Sequence, residues 1–192
     1  LNVRRTVEEL ETAGVSGMSL EDTDLPQTYG VDGRAQLISI EEGTAKLRAA
    51  LDARQDPKLF IAGRTSAATI TSLEDAVTRA KAYEAAGVDA MFFTGLKTPS
   101  EIDVVSDALS IPIILGSTPP ALNDFDYLAA KGVRIALQGH TPFLAAVKTV
   151  YDTLKDIRDG ARPEDLEHRL APEVLNQVTR NEAYQQWIKT YL

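Results

Sequence analysis

The sequence contains no cysteine, and it is also poor in features that mark nucleic-acid or membrane proteins. Without thiols, disulfides, thiolate metal sites and cysteine nucleophiles are excluded, and we expect a cytoplasmic protein. Lys and Arg total 20 against 28 Asp and Glu, and the formal net charge is -8. Nucleic acid and membrane surfaces are therefore not expected partners, because both bind a concentrated basic face. The longest apolar runs, such as residues 111–115, are too short to cross a bilayer.

A joint between a helix and a strand is repeated along the chain. It occurs at residues 9–22, 82–95 and 127–140. In each copy an amphipathic helix ends at a glycine, where the left-handed conformation after a helix favours glycine, and an apolar strand follows. These glycines are Gly14, Gly87 and Gly132.

Two further apolar strands, at 58–65 and 111–117, follow helical stretches at about 41–54 and 99–109. Strict alternation of helices with fully apolar strands predicts an α/β fold with a parallel sheet. A doubly wound sheet and a (β/α)8 TIM-barrel would both fit. The sequence contains no GxGxxG or GxxxxGK[ST] motif, which weakens the nucleotide-binding versions of the doubly wound fold. We predict a TIM-barrel of which the chain covers about strands four to eight, because such a barrel needs eight strands and about 250 residues.

The pattern changes near Gly160 to helical segments broken by Pro163 and Pro172. We therefore predict a barrel segment at residues 1–160 and a C-terminal helical extension at 161–192. The apolar residues of the extension need a surface to pack on. They would dock on the same subunit or exchange with a neighbouring subunit.

Glu21 and Asp22 come directly after the first predicted strand, at the sheet edge where α/β proteins bind ligands. Their carboxylates suit Mg²⁺, which keeps several waters and is often held indirectly through them. A solvated junction between strand and loop is the alternative.

Arg64 and His140 follow two other strands at the same edge. A guanidinium after a buried strand needs an anion, and its planar fork matches a substrate carboxylate. An internal pair with Glu21 or Asp22 is the alternative. His140 sits at the start of a helix, where it is either structural or a neutral ring that donates a hydrogen bond to substrate. The long loop from Leu25 to Ile40 is either a lid or an insertion.

Several motifs resemble the phosphoenolpyruvate mutase/isocitrate lyase superfamily nearly end to end. They include "LNVRRTVEELETAG", the "LED" after the first strand, "ALDARQDPKLFIAGRTSA" and "RAKAYEAAGVDAMFF". The resemblance implies a (β/α)8 barrel with a helix swapped between subunits, a homo-oligomer that is a dimer of dimers, and an α-keto acid substrate on Mg²⁺ or Mn²⁺. It implies that Glu21 holds a water of the metal, and that the direct aspartate ligands lie before Leu1.

Within the superfamily, lyases that act on isocitrate and 2-methylisocitrate carry a Lys-[Lys/Arg]-Cys-Gly-His motif. The corresponding loop, at 25–42, lacks both Cys and His. "GHTPFLAAVKTVYDTLKD" instead resembles the branch that decarboxylates oxaloacetate. The resemblance implies a Mg²⁺-dependent carboxy-lyase that forms pyruvate and CO₂ through an enolate, with Arg64 and His140 as catalytic and substrate-binding residues. The alternatives are a phosphonopyruvate mutase or hydrolase, a 2-methylisocitrate lyase-like enzyme, or a non-catalytic incomplete barrel.

Overall fold

The chain divides into two compact units, Leu1–Gly139 and His140–Leu192. The structure is a computed structural model that describes residues 1–26, 30, 33–166 and 170–192. The boundary between the two units lies after Gly139, and the predicted division into a barrel segment at 1–160 and an extension at 161–192 stays a prediction. The helix at Thr141–Arg158 has no buried residue, so it is grouped with the C-terminal helices instead of the sheet.

Strands alternate with helices in the first unit, in the order that the sequence predicts. The strands are β1 (Gly17–Glu21), β2 (Phe60–Thr65), β3 (Ala90–Phe93), β4 (Ile113–Leu115) and β5 (Val133–Ala136). The helices are α1 (Asn2–Thr12), α2 (Ile40–Ala53), α3 (Ala67–Ile70), α4 (Leu73–Ala86), α5 (Pro99–Ala108) and α6 (Phe125–Ala130).

Local signals fix where these helices begin and end. The hydroxyls of Ser39, Ser72 and Thr98 each accept the backbone N–H three residues later, which caps α2, α4 and α5. After α4, Gly87 has φ 102°, a left-handed conformation that costs a glycine little. The same conformation at Gly14 and Gly132 confirms the repeated joint.

The five strands form one parallel sheet in the order β1-β2-β3-β4-β5. Strand order therefore follows chain order, whereas a doubly wound sheet reverses its order at a switch point. The register of β4 with β5 shifts by one residue, because Ile113 pairs with Val133 and Ile114 with Ile135. The α/β class and the parallel sheet are confirmed.

The two faces of the sheet differ. Alternate residues, including Met91, Phe93 and Leu115, pack with helix residues in the main core. The opposite face carries a smaller cluster of Ala62, Ala90 and Ile114, with Phe60 and Phe92 packed against it. Side chains alternate along a strand, so this second face also carries Glu21 and Arg64 at its carboxyl end.

The second unit contains α7 (Thr141–Arg158), α8 (Pro172–Val178) and α9 (Asn181–Tyr191). None of these three helices has a buried residue. Phe143, Tyr151, Tyr184 and Trp187 are all exposed. Within the described parts of the chain, no helix is long and apolar enough to span a bilayer.

Candidate active site

Glu21 and Arg64 meet at the carboxyl edge of the sheet. They are direct neighbours in the register of β1 with β2, and Arg64 Nη2 lies 3.2 Å from Glu21 Oε2. The side chains of Arg64 and Glu21 keep 36% and 28% of their surface exposed, respectively, so a ligand can reach both. Arg64 thus forms the internal ion pair with Glu21 that was considered as the alternative, and its role in gripping a substrate carboxylate stays a prediction.

The guanidinium of Arg64 is held on a second side by an aromatic ring. Its Cζ lies 5.2 Å from the centroid of the Phe92 ring, a cation–π distance. The buried Nε has no hydrogen-bond partner among the described residues. Arginine has five N–H donors. The group is therefore oriented by Glu21 and Phe92, yet it keeps donors for the carboxylate of a ligand.

Asp22 has an environment that the sequence did not predict. It is only 2% exposed, which contradicts a solvated junction. Its Oδ2 accepts hydrogen bonds from Arg79 Nη1 at 3.1 Å and from the Tyr83 hydroxyl at 2.9 Å. One oxygen of this carboxylate is therefore occupied by protein donors.

In this cluster one guanidinium, that of Arg79, contacts two carboxylates, those of Asp22 and Asp75. Burial lowers the pKa of the Arg79 guanidinium, but its hydrogen bond to Asp75 raises it, and the pKa ends above the ordinary value. Burial, and next the charge of Asp22, raise the pKa of Tyr83 well above its ordinary value. Tyr83 therefore remains a neutral donor to the Asp22 carboxyl group, which the Arg79 guanidinium also contacts.

Arg79 and Tyr83 were missed in the sequence, although a signal was present. The buried residues of α4 are Ala76, Arg79, Ala80 and Tyr83, which form one helical stripe. An arginine within such a stripe needs a buried anion. Asp22, which follows an apolar strand, was available to provide it.

No complete metal site is formed by the described residues. Nowhere in these residues do three or more His, Asp or Glu side chains come close enough to hold an ion. Glu21 uses Oε2 for Arg64, and its second oxygen suits the indirect role of accepting a hydrogen bond from a metal-bound water. That role of Glu21 stays a prediction.

His140 is the N-cap residue of α7, the helix-start position that the sequence indicated. Its side chain makes no capping hydrogen bond, and the residue is exposed. It is the first residue of the second unit. Its role beside Arg64 therefore stays a prediction.

The long loop after β1 is tied together at its base. Thr23 and Leu37 form an antiparallel bridge, and Asp24 N–H donates to Gln36 C=O at 2.8 Å. Residues 27–29 and 31–32 lie outside the described residues. The prediction that this loop acts as a lid therefore stays a prediction.

Comparison with known proteins adds sequence and fold similarity. The family model described as phosphoenolpyruvate phosphomutase matches residues 1–158. An oxaloacetate decarboxylase of Rhodopseudomonas palustris (strain ATCC BAA-98 / CGA009) is 57% identical over 180 residues, which cover 94% of this chain and 62% of the relative. The chain therefore spans about three fifths of that relative's length.

Solved structures show the same fold. A phosphonopyruvate hydrolase in complex with oxalate and Mg²⁺ superposes with a TM-score of 0.83 at 29% identity, covering 99% of this chain and 68% of that protein. A phosphoenolpyruvate phosphomutase from Streptomyces platensis gives a TM-score of 0.84 at 24% identity, with coverages of 99% and 68%. Together with the match over residues 1–158, these similarities show that the chain belongs to the phosphoenolpyruvate phosphomutase family.

Proposed function

We propose that the protein decarboxylates oxaloacetate to pyruvate and CO₂, with Mg²⁺ or Mn²⁺ as cofactor. The main observation in support is that Arg64 is partly exposed and is oriented by Glu21 and Phe92 at the carboxyl edge of the sheet. An oriented guanidinium at that edge suits a small carboxylate ligand. The 57% identity to an oxaloacetate decarboxylase supports this choice of substrate.

The fold proposed for the active protein is a (β/α)8 barrel, of which this chain supplies strands four to eight. Three features support it: sequential strand order, a helix-packed outer face, and an opposite face that carries Ala62, Ala90 and Ile114. The inner face of a barrel is filled by such layers of side chains. Among the described residues β1 and β5 are the edge strands of the sheet, and a closed barrel would pair both edges.

In the proposed mechanism, Arg64 grips a substrate carboxylate through parallel N–H donors and holds the keto acid in a fixed orientation. Glu21 limits the rotation of that guanidinium. His140 is proposed to donate a hydrogen bond to the substrate or to help protonate the enolate that remains after CO₂ leaves. A bound divalent cation would stabilise the developing negative charge as a Lewis acid.

Direct metal ligands are proposed to come from outside the described residues, since these residues form no group of three or more ligands. The sequence-based expectation of aspartates before Leu1 fits that arrangement. The alternative is a non-catalytic chain, in which these residues alone bind no metal and turn over no substrate. The activity assay described next tests it.

The test is pyruvate release from oxaloacetate by the protein as its gene encodes it, with Mg²⁺ or Mn²⁺ and with EDTA. We expect activity that EDTA abolishes and that Arg64→Ala lowers about 100-fold, the scale of losing an oriented electrostatic contact. Arg48→Ala, on the exposed surface of α2, is the matched control and should keep full activity. Wild-type protein that releases no pyruvate, or an Arg64→Ala variant as active as Arg48→Ala, would overturn the proposal.

Cleavage of phosphonopyruvate is the second candidate, because a phosphonopyruvate hydrolase has the same fold over 99% of this chain. Parallel assays with phosphonopyruvate and oxaloacetate separate the two. Faster turnover of phosphonopyruvate would replace the first proposal by the second.

We also propose a homo-oligomer, a dimer of dimers, in which the C-terminal helices pack on another copy of the chain. The exposed apolar residues of α7 and α9 support it, among them Phe143 at 68% and Tyr151 at 66% exposure. Such a surface is typical of an interface. Light scattering should give four copies for the wild type and fewer for Phe143→Glu/Tyr151→Glu; a monomeric wild type would contradict the proposal. The predicted cytoplasmic location stays a prediction.

A further inference from the structure

Asp22 connects four parts of the first unit. Its backbone N–H donates to Arg64 C=O at 3.2 Å, and its C=O accepts from Ile38 N–H at 2.9 Å. Its carboxylate accepts from Arg79 and Tyr83 on α4. One residue thus joins the end of β1 to β2, to the segment before α2, and to α4.

Arg79 adds further hydrogen bonds to this junction of β1, β2, α4 and the segment before α2. The same Nη1 that contacts Asp22 also donates to Ile38 C=O at 2.9 Å, and its Nε donates to Asp75 at 3.0 Å. Asp22 lies where the chain leaves the carboxyl edge after β1, and Ile38 lies where it returns to α2. A single guanidinium nitrogen therefore fixes the distance between the two ends of the connecting loop.

The junction is adjacent to the candidate active site, the Glu21–Arg64 pair. Asp22 follows Glu21 in the chain, and Asp22 N–H holds the backbone carbonyl of Arg64. Lys46 Nζ holds the backbone carbonyl of Glu21 at 2.9 Å. The backbone carbonyls of both members of the pair are thus hydrogen-bonded, that of Glu21 by Lys46 and that of Arg64 by Asp22.

Stability alone is a weak reason to keep this arrangement. A buried ion pair is often no more stabilising than a packed apolar pair of the same volume. Asp22 Oδ1 is buried and has no hydrogen-bond partner in the described part of the chain, which adds a desolvation cost. Costs of this kind are concentrated where geometry is needed for function.

We propose that Arg79 and Tyr83 are positioning residues, which act through Asp22 to hold the Glu21–Arg64 pair in the geometry that binds the substrate carboxylate. The proposal rests on the proposed function of Arg64. Neither Arg79 nor Tyr83 would touch the substrate. Their effect passes through the backbone hydrogen bonds of Asp22.

The experiment compares Tyr83→Phe and Asp22→Asn with a matched control, Arg54→Met. Arg54 forms a similar ion pair with Asp89, but the pair lies before β3, at the opposite end of the strands. Each variant is examined by the ¹H–¹⁵N signal of Arg64 Nε, by thermal unfolding, and by kcat and KM for oxaloacetate. Tyr83→Phe removes one hydroxyl and preserves the ring, so it remains informative if Asp22→Asn fails to fold.

We expect both carboxyl-edge variants to shift the Arg64 Nε signal and to lower kcat/KM about tenfold, since small displacements of a binding group have effects of this scale. Arg54→Met should lower the melting temperature without moving the Arg64 signal. Arg79→Lys, which keeps the charge, should give a smaller shift than Arg79→Met. An unmoved Arg64 signal in folded Tyr83→Phe and Asp22→Asn would overturn the inference. A wild type without turnover would overturn the proposed function instead, because the Arg64 signal does not depend on catalysis.

Discussion

Two arginine–aspartate pairs attach helices to opposite ends of the same sheet. At the carboxyl edge, Arg79 of α4 contacts Asp22 at 3.1 Å. At the amino edge, Arg54, which follows α2, contacts Asp89 at 2.9 Å. Each aspartate has a further donor: the Tyr83 hydroxyl for Asp22, and the Ile61 N–H for Asp89. The chemistry of the two pairs is therefore closely similar.

Their burial is different. The side chains of Arg79 and Asp22 are 9% and 2% exposed, whereas those of Arg54 and Asp89 are 21% and 34% exposed. Water can replace a lost partner at the amino edge but not at the carboxyl edge. The same pair of residue types therefore has two roles: the amino-edge pair joins the end of α2 to the residue before β3, while the carboxyl-edge pair fixes the strand end that carries Glu21.

The largest effect expected from this contrast is that of Arg79→Met. The substitution leaves the Asp22 carboxylate buried without a counter-charge, which costs about 3–5 kcal/mol of the free energy of unfolding. Urea unfolding measures the loss. The double variant Arg79→Met/Asp22→Asn should recover most of it, because the remaining carboxylate that Arg79 contacts, Asp75, is 26% exposed and can be solvated. A single variant that loses less than Arg54→Met would break the comparison.

Gly43→Ala tests how closely the carboxyl-edge cluster is packed. Glycine within a helix is ordinarily less stable than alanine by up to about 1 kcal/mol. Here an added methyl group would overlap the Tyr83 hydroxyl, which is 1% exposed and bonded to Asp22. We therefore expect a net destabilisation of about 1–3 kcal/mol, as for overpacked cores.

The matched background for Gly43→Ala is Tyr83→Phe, which lacks the overlapping oxygen. A double-mutant cycle by urea unfolding should show a smaller cost of Gly43→Ala in that background. If Gly43→Ala lowers the free energy of unfolding equally in both backgrounds, the Tyr83 hydroxyl is not the group that excludes a side chain at position 43.

Arg54→Met should cost less, about 1–2 kcal/mol, the scale of one hydrogen bond to a charged group. Asp89 keeps the Ile61 N–H and is partly solvated, so no isolated buried charge results. The turnover per folded molecule should equal that of the wild type. A lowered kcat in fully folded Arg54→Met would show that the amino edge also affects the active site.

The strands were predictable because their signals are local. Each of the joints at Gly14, Gly87 and Gly132 places a left-handed residue between a helix and an apolar strand, and all three have this conformation. An ion pair of Arg64 with Glu21 was predictable as an alternative to a substrate carboxylate, because residues at the ends of neighbouring parallel strands share one edge of the sheet.

The partners of Asp22 were not predictable in the same way. Arg79 and Tyr83 lie 57 and 61 residues further along the chain, and their contact depends on how α4 rests on the sheet. Sequence spacing places them on one helical face but does not say which strand that face covers. The unit boundary after Gly139 also depends on packing, because α7 has an amphipathic pattern but no buried residue.

The smallest expected effect is a pH dependence that should distinguish the two pairs. Burial and the charge of Asp22 raise the pKa of Tyr83, whereas a tyrosine in the unfolded chain ionises near pH 10. Above about pH 10 the unfolded chain therefore releases a proton that the folded protein retains, and the free energy of unfolding falls as pH rises. Below that pH both states keep the proton, and this contribution does not change.

Urea unfolding between pH 8 and 11 measures this effect as the stability difference between wild type and Tyr83→Phe. The difference should be constant up to about pH 9.5 and then shrink by about 1 kcal/mol at pH 11. For Arg54→Met it should stay flat throughout, because the hydrogen bonds described for Asp89 come from Arg54 and the Ile61 N–H and include no tyrosine hydroxyl. A flat difference for Tyr83→Phe would mean that the folded protein does not raise the pKa of the Tyr83 hydroxyl, and the distinction between the buried pair and the solvated pair would then disappear.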